Sequence, residues 1–384
     1  MTAQQADPDL YDLTTAHREL QACAQALADR AAPLAAVADE GDVVEPRIRA
    51  LLRDSGLCSL MVPHRFGGRY ERIDPLAITI VREVLAATSA HLDSLFAMQG
   101  IGSYALGLAG HPQVQQHWLP RVGALSAVAA LALTEPHVGS DLRAITTQVV
   151  VDGDDLVLHG RKSFITNAGD ADIYTILARE ADGYSAVLVP ADTPGLSVEK
   201  AYQIIAPHVL GDVLLADVRV PLTHRIGAPG QGLRLMLETL AGFRVSVAGA
   251  AVGVAQAALN EAVRHTTSRQ QFGAPLADLG AVQSVLAQSW IDIELARSLT
   301  YRAAAAAARD PSAALRLSSM AKVAATEVAG HVTDRAVQLA GRFGLVRGSK
   351  IERLYREARP MRIYEGATEV ILQSLARQLV KGKS

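Results

Sequence analysis

The spacing of hydrophobic positions changes twice along the 384-residue chain. In the first third, apolar residues recur every three or four positions, as in amphipathic helices, and Asp74 followed by Pro75 predicts a helix start. In the middle the period shortens to two, and afterwards the helical period returns and persists. The pattern therefore predicts a helical domain over 1–127, a β domain over 128–232 and a second helical domain over 233–384.

Two Asp-Gly pairs in the middle part each lie between β-rich runs, at Asp152–Gly153 and at Asp182–Gly183. Such a pair is a strong signal for a tight turn between antiparallel strands. The runs LSVEK and DVLLADVRVP add further strand candidates. These features predict a small antiparallel β domain.

The last part contains three long segments of helical period and a fourth that starts near Gly366, an order that favours a four-helix bundle. Only Pro275, Pro311 and Pro360 follow Pro229, so these helices can be long, because proline interrupts a helix. Six consecutive alanines at 303–308 favour a tightly packed helix seam over a low-complexity segment.

Composition narrows the classes of function. The 37 Lys and Arg residues nearly balance the 39 Asp and Glu residues, so no bulk field attracts nucleic acid or an anionic membrane. Two cysteines and the spacing of the histidines give no metal-binding pattern. No secretory signal and no uninterrupted apolar run of about 18 residues is present. We expect a cytoplasmic protein with no metal, no nucleic-acid partner and no membrane span.

Four stretches carry candidate chemistry. LTEPHVGSD (133–141) offers hydroxyls and backbone N–H groups that suit a flat heteroaromatic ring, and GRKSFITNA (160–168) adds a hydroxyl beside an aromatic side chain. RQQFG (269–273) offers a guanidinium for a pyrophosphate and a ring for stacking. RIYEGATE (362–369) puts a carboxylate in a short loop before the last helix. Taken singly, each can equally be a turn, a cap or an ion pair.

In this order, the four stretches resemble the acyl-CoA dehydrogenase family of flavoproteins, and the resemblance covers nearly the whole chain. It implies an α+β multidomain fold with an N-terminal α-helical domain, a middle antiparallel β-barrel domain and a C-terminal four-helix bundle. It also implies FAD as cofactor, with contacts from both the β domain and the bundle. A homotetramer built as a dimer of dimers, or a homodimer, is the implied assembly.

The resemblance also implies roles for individual residues. Glu365 aligns with the catalytic base, whereas Phe243, where some members carry the base instead, cannot take a proton. The residues expected at FAD are Thr134, Gly139, Ser140, Phe164 and Thr166 on the flavin side, Arg269, Phe272, Gln338 and Gly341 on the adenine side of a neighbouring subunit's flavin, and Thr368. The weaker candidates for substrate binding are Arg244, His208, Tyr364 and Gly366.

Three departures from the family pattern bear on cofactor and substrate. Phe164 replaces a common Trp and keeps a ring, and Ala367 replaces a Thr and removes a hydroxyl. The segment 204–211 lacks a cation and two hydroxyls, so that His208 either replaces a polar contact to the thioester carrier or caps a loop. Arg244 either lies near the site or makes a structural ion pair.

The implied reaction is FAD-dependent α,β-dehydrogenation of an acyl thioester, from acyl-CoA to 2-enoyl-CoA. Glu365 would take the α-proton, hydride would pass to flavin N5, and electrons would leave to an electron-transfer flavoprotein or another acceptor. One alternative keeps the chemistry on an acyl-carrier-protein thioester in a biosynthetic pathway, and another is an acyl-CoA oxidase. A catalytically silent binding subunit is the alternative from a different class.

Overall fold

The computed structural model describes residue 11 and residues 13–181, 183–200 and 202–381. In this part of the chain the α-helices are α1 (Thr15–Ala38), α2 (Pro46–Ser55), α3 (Pro75–Ala86), α4 (Ala90–Ala109), α5 (Pro112–Gly123), α6 (Gly232–Ser268), α7 (Gly280–Arg309), α8 (Pro311–Ala340), α9 (Lys350–Met361) and α10 (Thr368–Lys381). The strands are β1 (Ala129–Ala132), β2 (Gln148–Asp152), β3 (Asp155–Thr166), β4 (Ile173–Glu180), β5 (Gly183–Pro190), β6 (Leu196–Glu199), β7 (Leu210–Pro221), β8 (Arg225–Ile226), β9 (Gln270–Gln271) and β10 (Ala274–Pro275). Helices therefore occupy both ends of the chain and strands its middle, as the change of hydrophobic period predicts.

Contacts divide the chain into two compact units. Unit 1 contains the described residues up to Ala36, the segment Pro75–Asp93 and the described residues from Arg244 onward. Unit 2 contains Val37–Asp74 and Ser94–Phe243. The predicted domain boundaries near 127 and 232 are not tested by this division and stay a prediction.

The centre of unit 2 is one sheet with the strand order β6-β7-β3-β2-β4-β5-β8, in which β1 also pairs with β4. Most neighbours are antiparallel, whereas β1 and β2 run parallel to β4. Gly153 adopts a φ of 62° in the β2–β3 turn, which explains the glycine of the first Asp-Gly pair. The second predicted turn joins β4 to β5, but its Asp182 lies outside the described residues.

Unit 1 is helical, and small side chains form its core. Ala303, Ala304 and Ala307 of α7 are buried together with Ala321 and Ala325 of α8 in one hydrophobic cluster. Side chains this small let two helix backbones approach closely. The alanine run at 303–308 is therefore part of a packed helix seam, as predicted.

The C-terminal part differs from the sequence prediction by one additional helix, α9. Its buried residues Ile351, Leu354, Ala358 and Met361 follow helical spacing, so the pattern is visible in the sequence once it is sought. A short loop, residues 362–367, joins α9 to α10 and is called the Glu365 loop below.

Helix α6 is long and apolar enough to cross a membrane by length and composition alone. In the described structure, however, 78% of its most apolar 18-residue window is buried inside the protein. A helix that is apolar on all sides and covered by protein is a core helix.

Candidate active site

The Glu365 loop contains two successive residues with left-handed backbone. Glu365 has a φ of 51° and Gly366 a φ of 107°. A non-glycine residue rarely adopts this conformation, and it persists only where the surroundings enforce it. A Cβ added to Gly366 would lie 3.1 Å from Ile371 Cδ1 and 3.5 Å from Arg244 Nη2. The turn therefore lies against the start of α10 and close to Arg244 of α6.

The Glu365 carboxylate is poorly satisfied. The residue as a whole is half-buried, but its Oε2 is inaccessible to solvent and has no hydrogen-bond partner among the described residues. Burial raises the pKa of Glu365, while the nearby cations Arg82, Arg244 and Lys322 act in the opposite direction. A buried carboxylate is normally hydrogen-bonded, so this one is available to accept a proton.

Two of the charges near Glu365 form a buried ion pair in unit 1. Arg82 of α3 donates through Nε and Nη2 to the two carboxylate oxygens of Asp93 at 2.9 and 2.8 Å, and through Nη1 to Ser246 Oγ at 2.9 Å. Burial alone would lower the pKa of Arg82, but the Asp93 carboxylate raises it above its ordinary value. Arg82 thus stays charged, and sequence reasoning did not single out either partner.

Arg244 and Tyr364, two of the predicted substrate residues, lie in the same unit as Glu365. Arg244 Nη1 donates to Ser319 Oγ at 3.1 Å, while its Nε is buried and has no hydrogen-bond partner in the described chain. Burial lowers the pKa of Arg244, and the charge of Glu365 opposes this shift. Tyr364 has 39% of its surface exposed. Arg244 is therefore a partly satisfied cation close to the Glu365 turn and not a member of a closed ion pair.

His208 and Phe243 both belong to unit 2. His208 lies in a loop, and its Nε2 is 3.2 Å from Ser94 Oγ of α4. The Phe243 ring is buried and lies edge-on to Tyr104, with ring centroids 5.6 Å apart. A Cβ added to Gly100 would lie 2.5 Å from the Phe243 ring. The position that some family members use for the base is thus an apolar packing position here.

A buried ion pair in unit 2 joins the first two sequence motifs. Glu135 Oε1 accepts from Lys162 Nζ and from Thr147 N–H at 2.9 Å each, and its Oε2 accepts from the N–H and the hydroxyl of Thr146 at 2.6 and 2.7 Å. Burial alone would raise the pKa of Glu135, but these hydrogen bonds lower it to about 2. The carboxylate is fully satisfied and fixes the turn after Thr134.

The predicted flavin-side residues lie on the two motifs that this ion pair connects. Ser163 N–H donates to Thr134 O at 2.9 Å. The hydroxyls of Thr134, Ser140 and Thr166 make no hydrogen bond to another described residue, and each of these residues is at least partly exposed. A Cβ added to Gly139 would meet nothing within 4 Å. Hydroxyls without a protein partner and a glycine with open space around it are chemically compatible with the polar edge of a flavin ring.

Phe164 has a left-handed φ of 56° and is 49% exposed. Its ring stacks on Tyr202, with centroids 4.1 Å apart and an interplanar angle of 16°. Its N–H donates to Asp212 Oδ1 at 3.3 Å. The strained backbone therefore presents a ring at the surface, which fits an aromatic group that covers a cofactor.

The predicted adenine-side residues lie at exposed or half-buried positions of unit 1. Phe272 and Gly273 form the left-handed turn of the β9–β10 hairpin, and Phe272 at its tip is 93% exposed. The Arg269 guanidinium lies 5.7 Å from the centre of the Phe343 ring. Gln338 and Gly341 are exposed at the C-terminal end of α8. An aromatic side chain so exposed fits a contact outside its own chain.

Comparison with known proteins identifies the family of this chain. Three family models match, for the N-terminal, middle and C-terminal domains of acyl-CoA dehydrogenases, over residues 14–125, 130–209 and 230–380. A cyclohexane-1-carbonyl-CoA dehydrogenase of Geobacter metallireducens is 33% identical over 93% of this chain and 95% of its own length. The chain belongs to the acyl-CoA dehydrogenase family.

Two solved structures resemble this acyl-CoA dehydrogenase over their whole length. Butyryl-CoA dehydrogenase from Megasphaera elsdenii is 28% identical, with a TM-score of 0.90 and coverage of 96% of this chain and 99% of the other. A chain from a structure reported for the electron transferring flavoprotein of Acidaminococcus fermentans is 29% identical. Its TM-score is 0.90, and the match covers 98% of this chain and 99% of the other.

Family membership confirms four predictions from the sequence. The fold has helical N- and C-terminal regions around a β-sheet region. The protein is an oxidoreductase that acts on the CH–CH group of an acyl-CoA, and FAD is its cofactor. The reaction is therefore FAD-dependent acyl-CoA dehydrogenation.

Proposed function

We propose that Glu365 is the base that removes the α-proton of the acyl-CoA in this dehydrogenase. The observation that carries the proposal is the Oε2 atom, which is buried and has no hydrogen-bond partner in the described chain. The α-proton of a thioester is weakly acidic, so its removal needs a base whose proton affinity exceeds that of a carboxylate in water. The raised pKa of Glu365 moves it in that direction.

The surrounding cations fit a base that must be ionised before it reacts. Arg82, Arg244 and Lys322 oppose the effect of burial on the pKa of Glu365. These cations limit the rise in the pKa of Glu365, and the carboxylate becomes more basic when the acyl group excludes water. We expect the backbone N–H of Glu365 to donate to the thioester carbonyl and so to acidify the α-proton. FAD, when bound, would supply the hydride acceptor for the β-hydrogen.

We further propose that the flavin ring is bound by Thr134, Gly139, Ser140, Phe164 and Thr166. The free hydroxyls and the exposed ring of this set support the proposal. The adenine side would be bound by Arg269, Phe272, Gln338 and Gly341 of a neighbouring subunit, since these residues are exposed or half-buried in the single chain. Their role implies a homodimer or a homotetramer. Thr368 is a weaker candidate, because its hydroxyl already donates to Glu327 Oε1 at 3.0 Å.

The assignment of substrate and acceptor extends this proposal. Arg244, Tyr364 and Gly366, which belong to the same unit as the base, are the residues we propose to contact the thioester, and His208 is a weaker candidate. An electron-transferring flavoprotein is the acceptor we propose, and the cytoplasm is the compartment. A single anaerobic assay addresses the substrate: acyl-CoA compounds are added in turn and bleaching of the flavin band is recorded. The set includes cyclohexane-1-carbonyl-CoA and butyryl-CoA, which are named in two of the similar proteins.

The same assay tests the base with two variants. Glu365→Gln should keep FAD and its shape yet lose bleaching, because an amide cannot take the proton. Glu369→Gln removes an exposed carboxylate four residues further on and should bleach like the wild type. Bleaching of Glu365→Gln at the wild-type rate would refute the assignment.

A further inference from the structure

We propose that Lys322 and Glu327 of α8 fix the Glu365 loop in its reactive conformation, which makes them positioning residues for proton removal. The inference rests on the proposed function, because it assumes that Glu365 is the base. It concerns residues that neither the sequence motifs nor the family comparison assigned.

Lys322 contacts the centre of the loop. Its side chain is completely buried, and Nζ donates to Gly366 O at 2.7 Å. Lysine is almost never fully buried unless its amine is paired. Here the partner is the carbonyl of Gly366, so the buried amine holds the peptide between Gly366 and Ala367, one residue beyond the base.

Glu327, five positions further along α8, contacts the two ends of the loop. Its Oε2 accepts from Arg362 Nη1 at 3.1 Å and its Oε1 from Thr368 Oγ1 at 3.0 Å. Gly330, on the same helix, gives room for this contact, because an added Cβ would lie 3.2 Å from the Arg362 guanidinium. One helix therefore contacts the first residue of the loop, its central turn and the first residue of α10.

The loop needs such contacts because its conformation is unfavourable by itself. Glu365 and Gly366 both have positive φ, and a strained turn persists only when its neighbours determine it. Proton removal depends on the distance between base and α-carbon, and a displacement of about 1 Å can slow a reaction about 100-fold. Loss of the α8 contacts should thus act on the rate of the chemical step.

Lys322 also acts on the charge of the base. The ionisable groups that influence Lys322 are Glu365, Arg244, Glu327 and Glu369, and burial lowers the pKa of Lys322 to about 8. The amine is protonated at neutral pH and lowers the pKa of Glu365. Its removal should therefore shift the ionisation of the base to higher pH, which a purely structural role would not do.

The experiment compares single-turnover flavin reduction in FAD-loaded variants under anaerobic conditions. Lys322→Met should slow reduction about 10- to 100-fold with little change in substrate affinity, and the acidic limb of its pH profile should move upward. Glu327→Gln should slow reduction less. Hydrogen exchange of the amides in residues 362–368 should rise in both variants.

The control is Arg297→Met, which removes another buried cation, whose Nε donates to Glu83 Oε1 at 3.0 Å. It should lower stability and leave the rate per bound FAD unchanged. An equal loss of rate in Arg297→Met would overturn the positioning role, as would wild-type reduction with an unmoved acidic limb in Lys322→Met. Glu365→Gln, run in parallel, separates the two proposals: if it is inactive while Lys322→Met is normal, only the positioning role fails.

Discussion

Two buried carboxylates of this protein show opposite environments. Glu135 in unit 2 accepts four hydrogen bonds, one of them from the Lys162 ammonium, and its pKa is lowered to about 2. Glu365 in unit 1 also lies near cations, but its Oε2 has no partner among the described residues and its pKa is raised. Both carboxylates thus have a cation nearby, and they differ in how many hydrogen bonds they accept.

The difference distinguishes a carboxylate that fixes structure from one that can react. Hydrogen bonds from fixed donors stabilise the charged form and make a carboxylate a poor base. A buried oxygen without a donor keeps its affinity for a proton, at a cost to stability. The comparison therefore predicts that the charge of Glu135 stabilises the folded protein, whereas the charge of Glu365 destabilises it.

The largest expected effect on stability follows from Lys162→Met. This change leaves the Glu135 carboxylate buried without its cation, and breaking a buried pair in this way lowers the free energy of unfolding by about 3–5 kcal/mol. Urea unfolding of the FAD-loaded protein measures the change. The control is Arg219→Met, because Arg219 pairs with Asp152 at 2.7 Å on the surface. That loss should be much smaller, because solvent screens an exposed ion pair, and equal losses in the two variants would contradict the account.

The next effect concerns acid. The pKa of Glu135 is about 2 in the folded protein against an ordinary 4.5, so its charge stabilises the fold above pH 4.5. This contribution, about 3 kcal/mol, is lost as the pH falls from 4.5 toward 2. Glu135→Gln should lack this part of the pH dependence, which unfolding curves between pH 6 and pH 3 can show. A wild-type pH slope in the variant would be the opposing result.

The smallest effect is an increase in stability, opposite to the two losses above. The pKa of Glu365 is raised in the folded protein, so ionised Glu365 destabilises the fold at pH values above its unfolded pKa. Glu365→Gln removes this charge at nearly constant shape and should raise the free energy of unfolding at pH 7, by about 0.5–2 kcal/mol if the gain is that of a typical stabilising substitution. Thermal unfolding with bound FAD measures it. A clear loss of stability would show that Glu365 has a structural role.

The sequence predicts most of the elements and indicates Glu365 as the candidate base, but it does not predict the surroundings of Glu365. Alternation and the Asp-Gly pair located β2 and β3, and the motif RIYEGATEV identified Glu365. Neither pattern links Arg82 on α3 with Asp93 on α4. This ion pair depends on how the two helices pack. A single charged residue in an apolar helix follows no periodic pattern, so the sequence does not reveal its partner.

The contacts of α8 illustrate the same limit. Lys322 and Gly366 are separated by 44 positions along the chain, and only tertiary packing brings the amine to the carbonyl. A buried lysine inside the apolar pattern of α8 is the one sign that the sequence offers. Helix α9, by contrast, is predictable, because its buried positions follow a helical period.

The most direct test of the central claim compares Glu365→Gln with Glu135→Gln in anaerobic stopped-flow reduction by an acyl-CoA, at equal FAD content. The account predicts that the first variant reduces its flavin about 100- to 10,000-fold more slowly than the wild type, the range that a general base contributes. The second should react within about threefold of the wild-type rate per bound FAD, despite its lower stability. Reduction of Glu365→Gln at the wild-type rate, or an equal loss in both variants, would contradict the account.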